Sequence, residues 1–165
     1  MNIRLCELEL HHIPQLNLWR NDPDLIETLG TGFNYISEEV DKNWYNDYLA
    51  NRDKSVRLAI LADDKYVGNV NLTQINNIHR SAEFSILIGE SNFRGKGIGS
   101  HSSLEILNHG FKNLGLQRIW LSVLASNEAA FNLYKKMGFE EEGVLRKAIF
   151  KNGLFHNLKI MSLLN

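Results

Sequence analysis

The chain has 165 residues, 44% of them hydrophobic and 22% charged, a size and composition that fit one compact domain around a sizeable core. With 18 Lys and Arg against 19 Asp and Glu, its net charge of -1 argues against the clustered basic face of a nucleic-acid binder. Its one cysteine, Cys6, permits no internal disulfide and suits a reducing compartment, where it is expected to pack as a small apolar residue. The first residues lack the basic and apolar regions of a signal peptide, and no apolar run reaches the ~20 residues of a membrane span, so a cytoplasmic location is expected.

Residues 2–6 alternate around Ile3 and Leu5 and predict a short strand. Ile13, Leu16 and Trp19 predict a helix over about 11–20, closed by Asn21-Asp22-Pro23. Residues 24–36 show no periodicity and are expected to form a loop. Ser37 before Glu38 and Glu39 predicts a capped helix start, with Val40, Trp44 and Tyr48 on its inner face. Alternation over 56–62 and a turn at Asp63-Asp64-Lys65 predict a hairpin running to about Ile75, and Ala82–Ile88 reads as the next strand. A helix over about 100–113 would turn Leu104, Leu107, Phe111 and Leu114 inward. Arg118–Val123 reads as a strand. A helix over 127–137 would carry Ala130, Leu133, Tyr134 and Met137 and end at Gly138. A hairpin of 144–151 and 154–163, turned by Asn152-Gly153, closes the chain. The order describes an α+β fold in a single domain over 1–165, with about four helices and a mixed, mostly antiparallel sheet of about seven strands. One strand–helix–strand crossover falls near 82–123.

The richest local signal is Arg94-Gly95-Lys96-Gly97-Ile98-Gly99, between a strand and a helix. Glycines let backbone approach a ligand closely, and the following helix adds its positive end, so the turn is suited to a pyrophosphate. It is neither common nucleotide fingerprint. A P-loop needs four residues between Gly and Gly-Lys-[Ser/Thr], whereas five separate Gly89 from Gly95-Lys96. The dinucleotide motif needs an acid ~20 residues on, where this chain has Gln117.

Arg94-x-x-Gly97-x-Gly99 instead resembles the acetyl-CoA signature of the GNAT N-acetyltransferases. Asn127, followed by Tyr134, Gly138 and Phe139, resembles that superfamily's second motif, and the likeness runs over residues 66–163. The resemblance implies acetyl-CoA as co-substrate and an acyltransferase that acetylates a primary amine. It implies a cofactor site of Arg94, Gly95, Lys96, Gly97, Ile98, Gly99 and Ser100 at the turn, with Leu87, Ile88, Asn127 and Tyr134 along the pantetheine arm. Backbone N–H groups at Leu87 or Ile88 would hold the oxyanion, on a strand parted from 118–123. Tyr134 would protonate the leaving sulfur, and Glu83 would act as base on the acceptor amine. Asn127 reads equally as a helix cap. Without catalysis, the same fold would be an acetyl-CoA-binding module.

The six histidines (His11, His12, His79, His101, His109 and His156) lack metal-ligand spacing, so no metal site is expected. Ile78–Phe84, Gly138–Gly143 and Asn152–Phe155 resemble the spermidine and ribosomal-protein alanine N-acetyltransferases, although Asn157 stands where many of these have aspartate. Leu18–Pro23 and Trp44-Tyr45 are similar instead to acetyltransferases of nucleotide-linked amino sugars. There a glutamate is the proposed base on the strand that here carries Ser122. The acceptor is therefore expected to be a polyamine such as spermidine, a nucleotide-linked amino sugar, or, alternatively, a protein N-terminus, with residues 24–36 deciding. Neither nucleic acid nor membrane is an expected partner, and a homo-oligomer is compatible with the sequence.

Overall fold

The computed structural model describes residues 1–165 as one seven-stranded sheet with helices on both faces. The strands are β1 (Ile3–Glu7), β2 (Val56–Ala62), β3 (Lys65–Asn76), β4 (Ser81–Ile88), β5 (Arg118–Leu124), β6 (Glu140–Lys151) and β7 (Leu154–Leu164). The helices are α1 (Ile13–Arg20), α2 (Pro23–Glu27), α3 (Glu38–Ala50), α4 (Ile98–Lys112) and α5 (Glu128–Lys136). The sheet order is β1-β2-β3-β4-β5-β7-β6. Only β4 and β5 run parallel, because a helix-length crossover through α4 joins them; hairpins and returns make every other pair antiparallel. The fold is the α+β architecture expected from the sequence.

Alternation along the central strands divides the apolar residues between two cores. Ile60, Val70, Leu72, Ala82 and Phe84 meet Ile106 and Leu107 of α4, with Tyr134 of α5 and Met137 at its C-terminal cap packed alongside. On the other face, Ala59 joins Leu16, Trp19, Tyr45 and Tyr48 of α1 and α3, with a half-buried Cys6 at the edge.

Three sequence expectations need correction. Residues 24–36 are not all loop. Asp22 does not simply end α1: its carboxylate accepts from the N–H groups of Asp24 and Leu25 at 3.0 and 3.3 Å, starting α2. In α3 the inner face is Asp41, Tyr45 and Tyr48, while Val40 is exposed. The reason is polar: Asp41 is fully buried, paired with Arg20 and accepting from Asn17 at 2.7 Å. In α4 Leu104 faces solvent, Leu114 lies exposed beyond the helix end, and the inward stripe is Ile98, Ser102, Ser103, Ile106, Leu107 and Gly110. Small residues win there because the helix lies close on the sheet. A Cβ at Gly110 would come within 2.9 Å of Leu72 and 3.0 Å of Ile119.

Candidate active site

Pairing between β4 and β5 stops after three residue pairs, the last of them Glu83 with Trp120. From there the parallel strands part, opening a gap lined by residues 84–88 of β4 and 121–123 of β5. The gap forms a cleft of about 440 Å³ whose walls include Glu83, Ser85, Leu87, Ile88, Ser122, Asn127 and Tyr134, with Thr28–Thr31 along one side. A second cavity of about 630 Å³ shares Leu87, Ile88, Gly99 and Asn127 with it and continues to Arg94, Gly95, Gly97 and Ser100. The two form one groove, leading from the point where the strands diverge to the turn before α4.

At the outer end the backbone is shaped for an anion. Gly95 and Gly97 have φ of +72° and +81°, a left-handed region costly for residues with a Cβ. A Cβ built at either position meets no protein atom within 4 Å, so the space above the turn is open and only a side chain there would fill it. Gly97 directly precedes α4, whose first N–H groups carry the helix's partial positive charge. A pyrophosphate of acetyl-CoA fits this donor set. Three expected contacts differ in detail. Ile98 is 1% exposed and its side chain belongs to the core, leaving only its backbone for a ligand. Lys96 lies over Phe93 at 5.5 Å, outside the groove's walls. Arg94 folds back to donate to the carbonyls of Ile88 and Gly89 at 3.0 and 3.1 Å, latching the turn to the end of β4.

In the cleft, Tyr134 reaches in from α5, edge-on to Phe84 at 6.0 Å and 5.9 Å from Phe139. Burial pushes its phenol up to about 12, so it is protonated across the physiological range. Glu83 is the only carboxylate among the cleft's lining residues. Its Oε2 accepts from the Gln74 side-chain amide at 2.6 Å. Gln74 has φ of +51° at an irregularity in the β3–β4 pairing, which turns its side chain toward Glu83. Asn127 caps α5 by accepting from Ala130 N–H at 3.1 Å, and it also donates to Thr28 carbonyl at 2.9 Å. It therefore joins α5 to the wall formed by the 24–36 segment.

Sequence reasoning missed two residues. Gln74 carried no signal, because a bulge is invisible to strand periodicity. Lys151 read as an ordinary strand lysine, yet it is 7% exposed and donates to the carbonyls of Ile26, Glu27 and Leu29 at 2.7, 2.7 and 2.8 Å. Asn157 supports the sheet: its side chain accepts from Lys147 N–H at 2.8 Å and pins an irregular stretch of β6.

A strand pair that parts beside a glycine-rich helix start, with a phenol and a carboxylate in the gap, defines an acyl-CoA-dependent acetyltransferase fold. Residues 2–140 match the family model of the acetyltransferase (GNAT) domain. The chain belongs to the GNAT acetyltransferase family. It is 37% identical over 132 residues to the spermidine N(1)-acetyltransferase of Vibrio cholerae, covering 79% of this chain and 75% of that one. The same identity holds over 101 residues for the Escherichia coli (strain K12) spermidine N(1)-acetyltransferase, covering 61% of this chain but only 54% of the relative, about half its length. A putative ribosomal N-acetyltransferase of Bacillus subtilis, YdaF, is 26% identical over 164 residues, 98% of this chain and 84% of that protein. Among solved structures, the V. cholerae spermidine N-acetyltransferase in complex with CoA and spermine superposes with a TM-score of 0.92 at 31% identity. That match covers 98% of this chain and 95% of the other.

Proposed function

We propose that this protein moves the acetyl group of acetyl-CoA to a primary amine of a small molecule, and that the amine is a polyamine of the spermidine class. The parting of β4 from β5 immediately beyond Glu83 carries the reading, since it puts a carboxylate, a phenol and unpaired strand backbone in one groove with the glycine-rich turn. The relatives that act on spermidine support the choice of acceptor.

Acetyl-CoA supplies the activated thioester. The turn at Gly95–Gly99 holds its pyrophosphate on backbone donors and the α4 N-terminus. An alkyl ammonium has a pKa near ~10.4 and must lose a proton before it attacks; Glu83, held by Gln74, takes that proton directly or through water. Backbone alternation turns the Leu87 N–H toward β3 and leaves the Ile88 N–H on the unpaired β5 side, so of the two expected donors Ile88 stabilises the oxyanion. Tyr134 donates a hydrogen bond to the sulfur as it leaves. Ser122, on the facing strand, offers a hydroxyl and no base, which disfavours the amino-sugar reading.

Release of free CoA should be followed with acetyl-CoA and three acceptors: spermidine, a nucleotide-linked 4-amino sugar, and a peptide beginning with alanine or serine. Turnover with spermidine well above the other two supports the proposal. Turnover with the sugar or the peptide alone overturns the acceptor class, and none with any amine overturns catalysis.

A further inference from the structure

Lys151 is the last residue of β6, more than 120 residues in sequence from the segment it touches. Its ammonium has three protons, and each has a backbone carbonyl: Ile26, Glu27 and Leu29, all within 2.8 Å. No carboxylate is paired with it; the neighbouring Glu27 side chain accepts instead from Asn152 at 3.2 Å. A buried cation satisfied wholly by main-chain oxygens is an unusual use of lysine, a residue that seldom lies inside without an ionic partner.

The position explains the arrangement. α2 has five residues, too few to be stable alone; of its last carbonyls Ile26 also accepts from the Leu29 N–H at 3.0 Å, whereas Glu27 and, just beyond it, Leu29 look to Lys151. A cation at that end satisfies them and complements the helix dipole. The chain leaving α2 then forms the wall of the cleft with Thr28, Leu29, Gly30 and Thr31. Two further contacts restrain this wall. Asn127 holds Thr28 carbonyl at 2.9 Å, and Gly30 lies beside β7, where a Cβ would make ordinary contact with the Leu158 side chain at 3.4 Å. Beyond the wall Tyr35 is 90% exposed, and the chain is next held at Ile36, which bonds the side chains of Asn17 and Asn21.

We infer that Lys151 is a positioning residue for the acceptor: by holding the carbonyls of Ile26, Glu27 and Leu29 it sets the wall against which the amine substrate lies. The inference rests on the reading of residues 28–31 as part of the acceptor site. Thr28 and Leu29 also line the cavity leading to the cradle, but Gly30 and Thr31 line the cleft alone and the cradle's own backbone at Gly95–Gly99 belongs to other elements, so Lys151 acts mainly on the acceptor side.

Lys151→Met keeps the apolar stem and removes all three donors, and Lys151→Arg restores donors to the same carbonyls. Amide hydrogen exchange in the full chain, without ligand, reads the wall directly. In Lys151→Met the amides of 25–31 should exchange at least tenfold faster, those of 95–100 should stay within twofold, and Lys151→Arg should recover most of the protection. Steady-state kinetics with spermidine, or with whichever amine the acceptor panel identifies, should show an acceptor KM raised about tenfold, with acetyl-CoA KM and kcat changed less than threefold. Thr31→Trp, which obstructs the wall itself, serves as the control for the acceptor reading. If Thr31→Trp raises the acceptor KM and Lys151→Met alters neither exchange nor KM, the role of Lys151 is overturned while the acceptor wall stands. If neither variant moves the acceptor KM, both are overturned. Should Lys151→Met not fold, Lys151→Gln, with one amide donor in place of three, is read by the same two measurements and judged by the same outcomes.

Discussion

Tyr134 gives the most direct test of the chemistry. Its phenol pKa, about 12, lies well above an ordinary thiol value of ~8.5. Complete proton transfer to the departing thiolate is therefore uphill by roughly 5 kcal/mol, at ~1.36 kcal/mol per unit. The hydroxyl acts as a hydrogen-bond donor whose hold strengthens as charge gathers on sulfur, and it completes the transfer late or not at all. A bond to a developing charge contributes ~1.5–3 kcal/mol, which corresponds to ~10- to 10²-fold in rate. Tyr134→Phe retains the ring between Phe84 and Phe139, so acetyl-CoA affinity by calorimetry should hold, while kcat falls toward about 10²-fold and KM changes little. The raised pKa has a second consequence. An unperturbed tyrosine is half ionised at pH ~10, whereas Tyr134 keeps its proton there, so the wild-type rate should show no alkaline loss due to this residue near pH 10. Full kcat in Tyr134→Phe, with the chemical step shown by single-turnover kinetics to limit the rate, would refute the role. A pH 10 limb present in the wild type and absent from the variant would refute the buried, protonated state.

Gly97→Val introduces a branched side chain at φ +81° and fills the space above the turn; acetyl-CoA affinity should fall tenfold or more, ~1.4 kcal/mol, in a folded protein, as calorimetry would show. Glu83→Gln should lower activity most below the amine's pKa and recover as pH rises, because solution then supplies free amine; a pH-independent loss would contradict the base role. Gln74→Leu removes the donor to Glu83 and should cost about fivefold in kcat/KM, roughly 1 kcal/mol, with acetyl-CoA binding unchanged. Glu142 is held at a pKa of about 2 by its paired bonds to Arg118 and a bond from Ser162, against a reference of 4.5. A depressed carboxylate adds stability above its unfolded pKa and loses it as pH falls toward the folded one. Stability should therefore decline between about pH 4.5 and 2, and Arg118→Gln should flatten that part of the denaturation profile.

The amino-acid sequence by itself determined those features whose physics is local. The order of strands and helices followed from periods of two and 3.6. Ser37 as a cap, accepting from Val40 N–H at 3.3 Å, followed from residue type. So did the Asn152-Gly153 turn, where both residues have positive φ. The glycine-rich turn was legible for the same reason, since glycine at a left-handed position before a helix is a backbone requirement. Tertiary structure alone decided which residues meet across the chain. The inner faces of α3 and α4 were misread because close approach to the sheet favours Ser102, Ser103 and Gly110 over leucine, and because a buried Asp41 is sustained by Arg20, a residue on another helix. Gln74 reaches Glu83 only through a bulge, and Lys151 reaches α2 only because the final hairpin folds beside it. Such pairings rest on hydrogen bonds across strands or across the whole chain, and periodicity and local propensity carry no record of them.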